Sequence, residues 1–303
     1  MKIPFGKYKN QDIDILCNDI SYAKWMLDQE WFKQKYPKLY KEIEILLHEE
    51  SKDIAKKALS AKENMLLSID LKREKIENFD EYPLSLNVVK NLTRTKLHPH
   101  VTFIVGENGS GKSTLLEALA ITQGFNPEGG TTNFNFSTNP THSNLHEFLR
   151  VAKTGKRAKN GFFLRAESFY NVATMIDELG VTNSYGNRSL HKQSHGEAFL
   201  SLMSHRFGAD GIYILDEPEA ALSPNRQMST LTLIHELVKQ GSQFIISTHS
   251  PILLSYPSSI IYEIRDEGLV QCDYEDTKTY SISKQFLDSY QKFLDILLMW
   301  KEV

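Results

Sequence analysis

Apolar residues recur along this chain in helical, alternating and unbroken patterns, and each pattern predicts a different element. The opening stretch reads as a short strand or turn around Ile3 to Lys9, a turn centred on Asn10, and then Ile13 to Cys17. Two helices are predicted next. Tyr22, Trp25 and Met26 follow a capping Ser21, and Leu39, Tyr40, Ile43, Leu46 and Leu47 follow Pro37 at helical spacing. Ile54, Ala58, Ala61 and Met65 continue an amphipathic stripe. The aromatic cluster of Tyr22, Trp25, Trp31, Phe32, Tyr36 and Tyr40 is expected to form the core of a tiny domain.

At Leu67 to Lys72 the period changes to alternation, which marks a strand with one buried face. Leu84 to Val89 is predicted as a second strand. Val101–Val105, Gly161–Arg165, Gly211–Leu215 and Gln243–Ser247 are unbroken apolar runs, separated by helical patterns over Val172–Leu179, Glu197–Phe207 and Arg226–Lys239. Leu231, Leu233, Ile234 and Leu237 form the predicted buried stripe of the last helix. Apolar strands alternating with helices imply a parallel sheet covered on both faces. Gly124 to Asn160 is rich in Gly, Asn, Thr and Ser and reads as an inserted loop or small lobe. The stripe from Phe286 to Trp300 predicts a helix docked on its own domain. The predicted organisation is an α+β module at 1–50, a helical linker at 51–65 and an α/β domain at 66–303.

Composition narrows the class. With 303 residues, 41% hydrophobic and 11% aromatic, the chain can bury a core without staples. A formal net charge of −3 gives no global attraction to a polyanion, so any nucleic-acid contact must come from local patches such as Lys153, Lys156, Arg157 and Lys159. Cys17 and Cys272 match no metal spacing and fit a reducing compartment. The amino terminus lacks the apolar run of a secretory signal, and no window approaches the ~18 apolar residues of a membrane helix. A cytoplasmic location with no membrane contact is therefore expected.

Gly106-Glu107-Asn108-Gly109-Ser110-Gly111-Lys112-Ser113 is a complete G-x-x-x-x-G-K-[ST] loop, preceded by an apolar strand and followed by the helical run Thr114 to Ala120. Glycines let successive N–H groups converge on phosphate oxygens, and the helix presents its positive end to the same anion. Lys112 is placed to neutralise the β and γ phosphates and Ser113 to ligate Mg2+. The strand at 212–215 ends in Asp216-Glu217, which suits a metal-holding carboxylate beside one that polarises a water. His249 follows the next strand and can orient that water or bond the γ phosphate.

Together these motifs resemble the ATP-binding-cassette superfamily, in its soluble SMC-like and RecF-like branch, and small stand-alone bacterial ATPases in particular. The resemblance covers roughly Leu66 to Phe293. It implies a P-loop α/β fold, a mostly parallel sheet with flanking helices plus an antiparallel β portion. It implies ATP and Mg2+ as cofactors, with Gly106 to Thr114 binding nucleotide, Lys112, Glu217 and His249 catalytic, and Ser113 and Asp216 holding metal. Glu219 to Ser223 matches the D-loop. Ser194, Gly196 and Glu197 resemble the signature that faces the γ phosphate of the opposite subunit, with Gln193 and His195 departing from its commonest form. Glu167 is the counterpart of the Q-loop metal ligand, and Tyr82, or Phe79 instead, of the adenine-stacking aromatic. Pro4-Phe5-Gly6-Lys7-Tyr8-Lys9 resembles a small module appended to some exonuclease-like proteins.

The resemblance also implies a homodimer or higher even oligomer that closes on ATP. Its use is expected in DNA repair or antiphage defence, with a nuclease or toxin partner and DNA. A protein-interaction module without nucleic acid is the alternative, and the ATPase subunit of a transporter a third. The stretch from Ser113 to Ser194 is too short for the long coiled coil of chromosome-organising relatives.

Overall fold

The computed structural model describes residues 2–18, 20–45, 65–132, 143–166 and 194–298, with the single residues Phe169 and Thr174. The chain divides into two compact units, Met1–Ala61 and Lys62–Val303. The helical linker expected at 51–65 and the Val172–Leu179 helix lie outside the described residues, Met65 and Thr174 excepted.

In the first unit the only pairing among the described residues is an antiparallel bridge between Lys2 and Asp12. Asn10 sits between them in the left-handed region at φ 65°, a posture asparagine tolerates better than most residues. Ile13–Asn18 is a 3-10 helix. Helices follow at Ile20–Leu27, Glu30–Lys35 and 37–45, so the segment carrying Trp31 and Phe32 is a short helix of its own. Ile3, Leu16, Met26, Phe32, Leu39 and Ile43 form the core, and Tyr22, Tyr36 and Tyr40 flank it. Trp25 and Trp31 are exposed, so the aromatic core is smaller than predicted.

The second unit is built on a six-stranded sheet. Its strands are β3 (Val101–Val105), β5 (Asn160–Arg165), β6 (Gly211–Asp216), β7 (Gln243–Ser247), β8 (Ile260–Arg265) and β9 (Gly268–Cys272). The order is β5-β6-β7-β3-β8-β9, with the first five parallel and β9 returning antiparallel to β8. Every residue of β3, β6 and β7 is buried, which is why these runs are predominantly apolar. A second, antiparallel sheet of three strands orders β2 (Thr95–Lys96), β1 (Leu66–Leu71) and β4 (Leu149–Lys153) as β2-β1-β4.

The Lys112–Thr122 helix is packed by both sheets, and this explains its nearly all-round apolar surface. Leu115, Leu116 and Leu119 meet Ile212, Ile214 and Ile245 of the large sheet and Leu66, Ile69 and Leu149 of the small one. Alternate residues of the same strands point the other way. Tyr213 stacks on Phe207 at 4.2 Å between ring centroids and lies 5.1 Å from Phe244.

Four expectations need correcting. Leu84 to Val89 is a turn leading into a short helix, Asn87–Lys90, closed by the i to i−4 bonds from Lys90 N to Leu86 O (2.8 Å) and from Asn91 N to Asn87 O (3.0 Å). The 124–160 insertion is partly regular: Leu145–Phe148 is helical and β4 pairs with β1 from Leu149↔Leu71 to Leu66↔Lys153. Residues 133–142 lie outside the description. The C-terminal stripe splits into helices Lys278–Asp288 and Tyr290–Leu298, neither with a buried residue, and Leu287, Ile296 and Leu297 face outward. In the Pro224–Lys239 helix the buried stripe is Thr230, Ile234, Leu237 and Val238, while Leu231 and Leu233 are half-buried.

Gln243 fastens the two sheets. Its buried amide accepts from Met65 N (3.2 Å) and Leu66 N (2.9 Å) and donates to Leu66 O (2.8 Å) and His98 O (2.9 Å). Replacing it by alanine strips partners from four main-chain groups. Gln243→Ala should cost about 3 kcal/mol in urea unfolding at unchanged m-value, and a loss below about 1 kcal/mol would contradict the clamp.

Candidate active site

Parallel strands deliver their carboxyl ends to one edge, and the chemistry-bearing residues collect there. β3 leads into the phosphate loop, β5 ends in Arg165, β6 in Asp216, and β7 runs into Ser247-Thr248-His249.

Gly109 and Gly111 take φ values of 79° and 94°. At Gly111 a Cβ would also sit 2.8 Å from Val88, so both backbone and space demand glycine. Lys112 is buried and curls back over the loop, its Nζ donating to Gly106 O at 2.9 Å and Glu107 O at 3.1 Å. The Ser110 hydroxyl is buried in the same loop without a hydrogen-bond partner. Tyr82 is exposed, with its hydroxyl 3.2 Å from Thr114 Oγ1 at the first turn of the loop's helix.

Asp216 is buried, and burial pushes its carboxyl above the usual range. Its Oδ1 accepts from Ser247 Oγ at 2.5 Å and Ser113 Oγ at 3.2 Å. Glu217 adopts φ 51° and ψ 52°, a left-handed posture that costs a residue with a side chain of order 1 kcal/mol. Its N–H donates to both Ser247 O and Ser247 Oγ, each at 3.1 Å. That turn aims the carboxylate along the edge: Oε1 lies 3.6 Å from Lys112 Nζ and 3.4 Å from His249 Nε2. The histidine nitrogen makes no hydrogen bond at this distance.

The loop bearing His249 is held by Glu219. Its carboxylate accepts from the His249 N–H and from Thr248 Oγ1 at 2.7 Å, and burial raises its pKa. On the other side Arg165 Nη1 donates to the buried Glu117 at 2.9 Å, and its Nε stands 3.8 Å from Asp216 Oδ2.

Ser194 caps the His195–Arg206 helix in a capping box with Glu197, whose Oε2 accepts from Ser194 N at 3.0 Å and Ser194 Oγ at 2.8 Å. These bonds hold the Glu197 carboxyl below its ordinary pKa. Arg226 donates to Ser194 Oγ at 3.1 Å and pairs with Glu197 at 3.2 Å. A Cβ on Gly196 would lie 2.8 Å from Ala221 O, so the glycine lets this turn pack against the 218–221 segment.

The structure thus gathers Lys112, Ser113, Asp216, Glu217 and His249 at one edge and puts Tyr82 beside Thr114. Ser194, Gly196 and Glu197 form a separate cluster with Arg226. Glu167 lies outside the described residues. Sequence reasoning passed over Arg165, Glu117, Ser247, Arg226 and the anchoring role of Glu219. Arg165 had a legible signal, since it ends its strand in register with Asp216.

The residues fit a magnesium nucleotide. Two buried polar atoms without partners, Ser110 Oγ and His249 Nε2, border the phosphate loop and the Glu217 carboxylate, and the buried Asp216 carboxylate beside the Ser113 hydroxyl suits a hard cation. Two domain families match consecutive stretches, an AAA domain over residues 75–194 and an AAA ATPase domain over residues 187–254. The arginine transport ATP-binding protein ArtM of Bacillus subtilis is 27% identical over 187 residues, 54% of this chain and 75% of ArtM. An uncharacterized ABC transporter ATP-binding protein of Haemophilus influenzae is 29% identical over 54% of this chain and 69% of its own. The chain is a P-loop ATPase similar to ABC ATP-binding proteins. It uses ATP and Mg2+ and releases ADP and phosphate.

The chain spans 30% of another relative, the pyoverdine export ATP-binding/permease protein PvdT of Pseudomonas fluorescens, at 27% identity. Among solved structures, the SMC head domain from Thermotoga maritima aligns at a TM-score of 0.40 and 17% identity over 69% of this chain and 98% of that one. A putative metal-chelate type ABC transporter aligns at 0.43 and 17% over 73% and 88%.

Glu219 touches the His249 loop and not the phosphate loop, so a change there is expected to alter turnover without altering nucleotide binding. Glu219→Gln offers one acceptor where two donors converge. It should lower kcat by about tenfold to a hundredfold while leaving the affinity for a fluorescent ATP analogue unchanged. A parallel loss of affinity would show that the two loops are not separable.

Proposed function

We propose that hydrolysis in this ATPase runs a head-to-tail dimer switch. Lys112 and the loop amides hold the β and γ phosphates, Ser113 and Asp216 hold the metal, and Tyr82 flanks the adenine. Held by Ser113 and Asp216, Mg2+ would supply charge neutralisation at the transferring phosphoryl group. Glu217 accepts the proton of the attacking water, and His249 orients that water from the far side. The observation supporting a second subunit is the exposed Ser194 turn. Ser194 is exposed, and to meet a γ phosphate held by a partner copy its hydroxyl exchanges its bonds to Glu197 and Arg226 for that phosphate. Loss of that phosphate removes the contact both subunits share and opens the pair.

The switch is proposed to serve DNA repair or antiphage defence through a nuclease or toxin partner, on the strength of the SMC-like and RecF-like motif pattern. A second reading, the energising subunit of a transporter, draws on the names of ArtM and the Haemophilus relative. No helix among the described residues is long and apolar enough to cross a membrane, so that role requires separate membrane chains. The two readings part on whether duplex or single-stranded DNA raises the ATPase rate.

Glu217→Gln should abolish turnover, retain ATP and accumulate as a dimer in light scattering only when ATP and Mg2+ are present. Ser194→Arg in the same background should return it to monomer with the P-loop still loaded. Equal masses with and without ATP would overturn the switch.

A further inference from the structure

The sheet edge opposite the phosphate loop carries a cavity of about 640 Å3. Asn160, Gly161 and Ile212 at the amino ends of β5 and β6 line it, together with Gln123 and Phe125 just past the Lys112–Thr122 helix. Strands of this length rise ~3.3 Å per residue. The six residues of β5 therefore put the cavity roughly 17 Å from the Arg165 and Asp216 end. It is a separate place from the nucleotide site.

Its charge is one-sided. Lys153, Lys156, Arg157, Lys159 and Arg206 line it, and no acidic side chain does so among the described residues. Asp210 lies behind two of them, 2.9 Å from Lys156 and 3.0 Å from Lys159, and these lysines hold its carboxyl down to about 2. Lys153, Arg157 and Arg206 have no ion pair among the described residues. On a chain whose formal net charge is −3, Asp210 offsets two of these cations, and the remaining three around one hollow repel one another unless a further anion joins them.

Two further atoms point into the same need. Thr131 is 95% buried by its 5% exposure, and its Oγ1 is without a hydrogen-bond partner, as is the buried Nε of Arg206. Both residues line the cavity. Buried polar atoms of this kind are rare and call for a ligand or water. The floor is apolar, with Phe125 seated against Gly161, where a Cβ would come within 2.6 Å of the ring. A volume of this size suits a ligand rather than a lone ion.

We propose that this cavity binds a phosphate-bearing small molecule of nucleotide size, held by Arg157, Arg206, Lys153 and Thr131, in addition to the ATP at the phosphate loop. The guanidinium groups supply forked donors to phosphate oxygens, and Phe125 and Ile212 offer an apolar floor to the rest of the molecule. The site stands on residues that the dimer switch does not use.

The test is calorimetric, on the full chain with its phosphate loop saturated by ATPγS and excess Mg2+, and with inorganic pyrophosphate as the titrant. One further equivalent should bind per chain. Arg157→Gln/Arg206→Gln should weaken it by at least about tenfold while ATPγS affinity and the thermal transition stay unchanged. Should that double variant unfold, Lys153→Gln at the exposed rim serves instead, with a loss of about threefold expected. Absence of the second equivalent, or the same affinity in a folded variant, overturns the proposal. It is equally overturned if a short single-stranded oligonucleotide binds through these arginines and pyrophosphate does not, since the surface would then read a nucleic-acid backbone.

Discussion

Two adjacent carboxylates at the end of a wholly buried strand are the constraint around which this ATPase is arranged. Charge at such a position is costly, and each neighbour offsets it in a different way. Ser247 and Ser113 give Asp216 two hydrogen bonds, Arg165 adds a cation at a distance, and Glu217 escapes burial by turning outward toward Lys112 and His249. None of these groups comes from the strand that bears the carboxylates. They arrive from β5, β7 and the helix after β3, so the chemistry depends on three strands ending level with one another.

Level strand ends require rigid layers behind them. The Lys112–Thr122 helix is clasped between the large parallel sheet and the small antiparallel one, and Gln243 ties the second sheet to the first through main-chain groups. Position on the edge is thereby set by packing far from the phosphate loop. The same helix joins the phosphate loop at one end to the basic hollow at the other.

Legibility followed the length scale of each interaction. The phosphate loop, the Asp216-Glu217 pair and His249 were readable because each is a short motif next to an apolar strand. Ser247, Arg165 and the anchoring role of Glu219 were not singled out, since a serine, a glutamate or an arginine beside a strand end has meaning only once the strand order is known. Leu84 to Val89 misled for a related reason: its apolar run packs against the glycines of a loop more than a dozen positions away, and local periodicity carries no trace of that partner. The C-terminal helices show the converse, a strong helical stripe that faces outward. β8 and β9 were passed over although β8 pairs directly with the central β3.

The left-handed backbone at Glu217 has a consequence for descent as well as for chemistry. Its posture is dictated from outside, by two oxygens of Ser247 on the adjacent strand, and not by the glutamate itself. Whatever side chain occupies the position inherits the same aim. A lineage can therefore exchange the reactive group there and retire or restore catalysis, while the scaffold that points it stays intact.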